Sequence, residues 1–101
     1  MKIAVACDHG GYRLKNVLME EMKKQGYEVV DFGTYNEESC DYPDYAAKAA
    51  KAVANGECEK GVVVCGTGIG VSITCNKVKG IRCALVHDVF SAKATRAHND
   101  T

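Results

Sequence analysis

Short apolar runs alternate with longer amphipathic segments along the whole chain. Small and β-branched apolar residues form compact runs at positions 2–7, 28–32, 61–65 and 81–86. Runs of this length and composition predict four buried β-strands. Because a segment with helical periodicity follows each run, the pattern predicts a βα unit repeated four times.

The first amphipathic segment shows the helical spacing most clearly. Between residues 12 and 25, apolar side chains recur three and four positions apart at Leu14, Val17, Leu18 and Met22. Lysines and glutamates, Lys15 among them, fill the other positions. We therefore expect the four apolar residues to face the sheet and the charged residues to face solvent.

Proline, glycine and potential capping residues mark the predicted ends of the other helices. Pro43 suits the first turn of a second helix, which carries a stripe of alanines and ends at Gly56. A third helix is predicted to end near Asn76. Asp88 can cap a fourth helix that runs to about Ala97.

Four successive βα units predict an α/β fold, namely a Rossmann-like, doubly wound parallel sheet in a three-layer α/β/α sandwich. In a strand order of 2-1-3-4, the winding reverses between strands one and three. Ligands bind such sheets at the carboxyl ends of the strands beside this reversal. The loops 8–11 and 65–68 are therefore expected to face each other across one crevice.

A glycine-rich loop follows the third predicted strand. Gly66, Gly68 and Gly70 are spaced two apart and precede a helix, so several amides can point at one anion. No lysine follows, which excludes a Walker loop, and the third glycine comes one residue too early for a dinucleotide fingerprint. Asp88 follows the next strand, as a nucleotide-binding unit requires, and keeps a dinucleotide-binding module open as an alternative.

Several residues beside this loop can carry chemistry. Cys65 ends a strand next to a helix N-terminus, where a thiolate is favoured and can take a proton or attack as a nucleophile. Thr67 offers a hydroxyl at the loop rim. His9 stands between Asp8 and two glycines that leave room for a ligand such as a phosphate. A buried strand residue, a surface turn and a helix cap are the structural alternatives for Cys65, His9 and Asp8.

Composition narrows the function classes. The chain of 101 residues suits a single domain, and its formal net charge of zero argues against nucleic-acid binding. No apolar run approaches the roughly 20 residues of a membrane span. The six cysteines form no C-x-x-C pair and the three histidines show no zinc-ligand spacing, so no metal site is predicted. Without a targeting segment, free thiols and a cytoplasmic location are expected.

Seven short motifs are distributed over the chain. They are Asp8-His9-Gly10-Gly11, Asp31-Phe32-Gly33-Thr34, Asp41-Tyr42-Pro43, Cys65-Gly66-Thr67-Gly68-Ile69-Gly70-Val71-Ser72, Asn76-Lys77, Gly80-Ile81-Arg82 and Arg96-Ala97-His98-Asn99-Asp100. Taken together, these motifs resemble type B ribose-5-phosphate isomerase, of the RpiB/LacAB sugar-phosphate isomerases. The resemblance covers essentially the whole chain.

The resemblance implies a cofactor-independent aldose–ketose isomerase that interconverts ribose 5-phosphate and ribulose 5-phosphate through an enediolate. It implies Cys65 as the base, Thr67 as a proton relay between the two oxygens and His98 as the residue that helps open the sugar ring. The residues implied in substrate binding are Asp8, His9, Tyr42, Gly66, Gly68, Ile69, Gly70, Val71, Ser72 and Asn99. Isomerisation of allose or galactose 6-phosphate is the alternative within the same family.

The family also implies an assembly. Its sites form between two subunits, so a homodimer is expected in which His98 and Asn99 come from the partner, and a tetramer stays open. Family chains continue into another strand, a C-terminal helix and phosphate-binding arginines. The present sequence stops in or just after a helical pattern, so we expect residues 1–101 to be one isomerase domain in a C-terminally shortened form.

Overall fold

A computed structural model describes all 101 residues and has a three-stranded parallel sheet at its centre. The strands are β1 (Lys2–Cys7), β2 (Glu28–Asp31) and β3 (Lys60–Val64), in the order β2-β1-β3. Ile3 of the central strand pairs with Val29 on one side and Lys60 on the other. The winding reverses between β1 and β3, as the sequence pattern predicts.

The helices complete three layers. They are α1 (Tyr12–Lys24), α2 (Tyr42–Ala54), α3 (Ile69–Asn76) and α4 (Val89–Ala94), which continues as one wider turn over Thr95–Asn99. α1 covers one face of the sheet, and α2 and α3 pack together on the other. None of these helices is both long and apolar enough to cross a membrane.

The fourth predicted strand does not form, and the sheet order stops at 2-1-3. Residues 81–87 are irregular instead. The side chain of Asn76 takes both backbone groups of Cys83, accepting from its N–H at 2.8 Å and donating to its carbonyl at 2.8 Å. These bonds occupy the backbone N–H and C=O of Cys83, the groups that strand pairing requires. A cavity of about 340 Å³ lies between β3 and residues 83–87.

The core on the α2 side is built from small residues. Ala4 and Ala6 of β1 pack against Ala49 and Ala52 of α2, and Cys58 joins them. A second cluster links Ala46 and Ala50 of α2 to Val71 and Cys75 of α3. Small side chains let α2 and α3 lie close to the sheet, and this packing brings the start of α3 beside the start of α2.

The predicted inner face of α1 is only partly correct. Leu18 and Met22 are half-buried, but Leu14 and Val17 are 53% and 63% exposed. Lys15, which the periodicity assigns to solvent, is fully buried. Its ammonium contacts both oxygens of Asp31 and the Thr34 carbonyl, and these partners, rather than the helical pattern, decide its position.

Candidate active site

Two loops meet at the carboxyl ends of β1 and β3. The amide of Asp8 donates to the Val64 carbonyl at 3.1 Å, which joins the end of β1 to the end of β3. A methyl group on Gly10 would lie 3.3 Å from the Gly66 nitrogen, and one on Gly11 would lie 2.5 Å from the Val64 oxygen. The backbones therefore touch where side chains would separate them. The predicted proximity of loops 8–11 and 65–68 is confirmed, and we call the surface beside their tips the crevice.

Cys65 is the first residue after β3 and lies half-buried at this crevice. Its sulfur accepts a hydrogen bond from the Gly68 amide at 3.0 Å. Gly68 has a φ of +79°, a left-handed conformation that turns the chain back over the sulfur and favours glycine. This hydrogen bond fixes the position of the sulfur at the start of α3.

The loop keeps several backbone donors free. Besides the Gly68 amide, the Ile69 amide is used, because it donates to the Thr67 hydroxyl at 3.2 Å. The amides of Gly66, Thr67 and Gly70 donate to no group of the chain. Unpaired amides at a helix N-terminus form an anion site. The loop can therefore hold developing negative charge close to the Cys65 sulfur.

Tyr42 lies directly over the start of α3. A methyl group on Gly70 would lie 2.8 Å from two ring carbons of Tyr42 and 3.2 Å from its hydroxyl. The ring packs there because α2 begins at Tyr42 and is held against α3 by their shared alanine cluster. The structure thus brings Tyr42 to the glycine loop, where the sequence by itself gives it almost no signal.

The first loop is more structured than a simple turn. The Asp8 carboxylate accepts from the Gly11 amide at 3.0 Å and so caps the turn over His9–Gly11. His9 is exposed, and its Nδ1 accepts from the Cys40 amide at 3.4 Å. The Nδ1 side of the ring therefore faces Cys40.

The remaining loop residues differ in what they can offer a ligand. Ile69 is 51% exposed at the first position of α3, whereas Val71 is 2% exposed and packs in the core. The Ser72 hydroxyl donates to the Ile69 carbonyl at 2.8 Å. Val71 can therefore reach a ligand only through its backbone, and Ser72 helps to hold the first turn of the helix.

His98 and Asn99 do not join this site within one chain. They are exposed in the wider turn after α4. The Asn99 carbonyl accepts from Arg82 at 2.5 Å, and the neighbouring Asp100 carboxylate lies 3.8 Å from the Lys60 ammonium. Since Lys60 begins β3 and Cys65 follows its end, the two groups of residues lie toward opposite ends of the strand.

The structure adds residues that the sequence pattern misses. Leu85 lies over the loop, because a methyl group on Gly68 would come within 2.5 Å of its Cδ1. Leu85 and His87 line the cavity of about 340 Å³ together with Gly66 and Gly68. Periodicity gives no signal for either residue, since segment 81–87 leaves the sheet. Cys40, which holds His9, lies in a loop without a motif.

No group of three or more His, Cys, Asp or Glu side chains is arranged to hold a metal ion. All six cysteines are free. The chemical resources of the crevice are a thiol, a hydroxyl, an imidazole, a carboxylate and unpaired amides. That set suits proton transfer on a small anionic molecule.

A parallel α/β sheet with such a site at its topological switch point defines a small-molecule-binding protein of the Rossmann-like class. Within that class, the chain belongs to the Ribose/Galactose Isomerase family, whose model matches residues 3–101.

Three proteins of this family are similar to the chain over nearly its whole length. The structure of ribose-5-phosphate isomerase B from Clostridium thermocellum superposes with a TM-score of 0.97 at 54% identity, over 99% of this chain and 68% of that one. Ribose-5-phosphate isomerase B of Escherichia coli is 47% identical over 99% of this chain and 67% of its own length. Galactose-6-phosphate isomerase subunit LacB of Clostridium acetobutylicum is 44% identical over 97% of this chain and 57% of its own length.

Proposed function

We propose that this chain interconverts ribose 5-phosphate and ribulose 5-phosphate, without a cofactor, and that Cys65 is the base. The observation that carries the proposal is the Cys65 sulfur at the crevice, 3.0 Å from the Gly68 amide and beside unpaired amides. Relatives named ribose-5-phosphate isomerase B align over nearly the whole chain and support the substrate. Residues 1–101 act as one isomerase domain in this proposal.

The reaction moves two protons. The Cys65 thiolate takes the proton from C2 of the open-chain aldose, the C–H electron pair forms the C1–C2 double bond, and O1 becomes an oxyanion. The proton on O2 then passes to O1 through the Thr67 hydroxyl. Cys65 returns its proton to C1, and the ketose forms with its carbonyl at C2.

The loop stabilises the intermediate more than the substrate. Negative charge develops on O1 and O2 only once the C2 proton has left. The free amides of Gly66, Thr67 and Gly70 are already oriented by the turn at Gly68, so they need no rearrangement to receive that charge. Preorganised donors of this kind account for a large share of catalysis in enediolate chemistry.

The other end of the substrate binds at the first loop. His9 meets the phosphate, while Asp8 and Tyr42 bind sugar hydroxyls. Ile69, Val71 and Ser72 complete the wall of the crevice as the first turn of α3. This division places the phosphate and the reacting carbons at the two sides of the crevice.

A second copy of the chain completes the site in this proposal. His98 opens the furanose ring and Asn99 binds the reacting end, and both lie far from Cys65 within one chain. Their exposure leaves them available to a neighbouring subunit. A homodimer with shared sites is the smallest assembly that brings them together. Six free thiols fit a cytoplasmic location.

A six-carbon substrate is the second candidate. The family description covers ribose and galactose isomerases, and a galactose-6-phosphate isomerase subunit is among the relatives. The chemistry at C1 and C2 is the same for galactose or allose 6-phosphate. The choice depends on the distance from the Cys65 loop to the phosphate, and comparing kcat/KM for the three sugar phosphates decides it.

Proton NMR in D2O tests the proposal. With ribose 5-phosphate, we expect the C2 proton signal to disappear while ribulose 5-phosphate appears. Cys65→Ala should reduce turnover by at least about a thousandfold, because the proposed base is removed. Cys58→Ala is the matched control, since Cys58 is buried in the other core cluster.

Circular dichroism must show that the Cys65→Ala protein is folded. Near-normal turnover in that variant would exclude Cys65 as the base, and retention of the C2 proton during turnover would exclude the enediolate.

A further inference from the structure

Two thiols outside the proposed mechanism lie together at the end of α3. Cys75 is 3% exposed and belongs to the core cluster with Ala46, Ala50 and Val71. Cys83 is half-buried and packs against the same cluster from segment 81–87. The two cysteines therefore bring an otherwise irregular segment into contact with the helix.

Asn76 fixes this contact through the backbone. Its side chain accepts from the Cys83 amide and donates to the Cys83 carbonyl, both at 2.8 Å. Because Asn76 is the neighbour of Cys75 in α3, the two bonds hold Cys83 beside Cys75. The Cys75 thiol donates to the Ala46 carbonyl at 3.8 Å, and Cys83 is near enough for the two thiols to shift each other's pKa.

The contact separates the acidities of the two thiols. The neighbouring Cys75 thiol lowers the pKa of Cys83 to about 7. The proximity of Cys83, together with burial, raises the pKa of Cys75 far above its ordinary value. Near neutral pH, one sulfur is therefore partly ionised while its neighbour keeps its proton. That is the arrangement of an attacking thiolate with a resolving thiol.

Small molecules can reach the pair. Cys75 and Cys83 both line an open cavity of about 840 Å³ between segment 80–84 and the sheet. No residue of the proposed substrate site lines this cavity. Cys83 also lines the smaller cavity beside Cys65, so a variant without Cys65 is needed to tell the two thiol sites apart.

We propose that Cys75 and Cys83 form an oxidation site that a hydroperoxide converts into a disulfide. The Cys83 thiolate attacks one peroxide oxygen, the O–O bond breaks, and Cys83 becomes a sulfenic acid as hydroxide leaves. Cys75 loses its proton and attacks the Cys83 sulfur, the S–O bond breaks, and water leaves. Two thiols are oxidised and one peroxide is reduced to water.

Intact-mass spectrometry of the whole chain after hydrogen peroxide treatment tests this. The wild type should lose about 2 Da, the mass of two hydrogens, and regain it with dithiothreitol. Cys83→Ser and Cys75→Ser should not show this loss. Cys58→Ser, the matched control in the other core cluster, should show it unchanged.

Peptide mapping identifies the partners. Trypsin cleaves after Lys77 and Arg82, so the disulfide should join peptide 61–77 to peptide 83–93. The linked pair should persist in Cys65→Ser, because that variant keeps Cys75. A 2 Da loss that survives in Cys83→Ser, a link through Cys65, or oxygen addition without any link would each overturn the proposal. The mass measurement needs no isomerase activity. A negative result would therefore contradict the disulfide proposal without contradicting the proposed function.

Discussion

Lys15 lies inside the protein although helical periodicity places it on the polar face of α1. Its ammonium donates to the two Asp31 oxygens at 2.9 and 3.0 Å and to the Thr34 carbonyl at 2.5 Å. The rings of Tyr12 and Tyr35 each lie 5.4 Å from it. Desolvating an ammonium costs several kcal/mol, and these partners offset that cost. The partners of the Lys15 ammonium, and not the polarity of the side chain, therefore decide that Lys15 is buried.

Replacing Lys15 tests this ion pair. We expect Lys15→Met to lower the free energy of unfolding by about 3–5 kcal/mol, because it leaves the Asp31 carboxylate without its partner. Urea denaturation measures the change. Arg13→Ala is the control: Arg13 pairs with Glu37 in solvent, with side-chain exposures of 87% and 51%, and its loss should be undetectable.

A double variant separates charge from packing. Lys15→Met with Asp31→Asn should recover part of the lost stability, since no uncompensated charge remains. Equal unfolding free energies for the single and double variants would show that packing, and not the charge, dominates.

Gly70 leaves space for the ring of Tyr42. The Tyr42 ring occupies the position of a side chain at Gly70, and the φ of Gly70 is ordinary for a helix. The glycine is therefore required by a close approach, and not by the backbone conformation. Its place in the motif is visible in the sequence, but the neighbouring ring is not.

Gly70→Ala should displace Tyr42 and raise KM for ribose 5-phosphate roughly tenfold, the effect of about one lost hydrogen bond. Steady-state kinetics measure it. In a Tyr42→Phe background the same change should have a smaller effect, because the hydroxyl is already gone. Additive effects of the two substitutions would mean that Gly70 does not act through Tyr42.

At the scale of elements, the hydrophobic pattern predicts three strands and four helices to within a few residues. It fails at segment 81–87, which has the composition of a strand but makes no ladder with β3. An apolar run indicates that a segment is buried, but a strand also needs hydrogen-bond partners for its backbone N–H and C=O groups. The side chain of Asn76 supplies that partner at Cys83.

Removing the Asn76 side chain should release the segment. We expect Asn76→Ala to reduce hydrogen-exchange protection of the Cys83 amide by at least about tenfold, because its acceptor is lost. Asn55→Ala is the control, since Asn55 makes a similar bond to the Glu57 amide after α2. Unchanged protection at Cys83 would show that segment 81–87 is held by something else, such as packing of Cys83.

At the scale of the whole molecule, the reversal of winding between β1 and β3 creates the crevice. It brings residues distant in sequence, Asp8, Tyr42 and Cys65, to one end of the sheet. The same topology leaves His98 and Asn99 toward the other end, so a complete site of the proposed kind needs a second subunit.

Mixing inactive variants tests the shared site. Cys65→Ala and His98→Ala should each be inactive as homodimers. Dissociated together and reassociated, they should recover about one quarter of wild-type activity, since half of the random dimers carry one intact site of two. An NMR or coupled assay measures the recovery. No recovery, with dimers confirmed by light scattering, would mean that both residues act within one chain.

The sequence by itself determined the order of βα units, the position of the glycine loop, and Cys65 and Thr67 beside it. These features are local, because strand runs, helical spacing and glycine-dependent turns follow from neighbours along the chain. Only the tertiary structure decided the burial of Lys15, the ring of Tyr42 over Gly70, the failure of the fourth strand and the packing of Cys83 against the cluster that holds Cys75. Each of these depends on contacts between residues far apart in sequence, whose free energies outweigh the local preference.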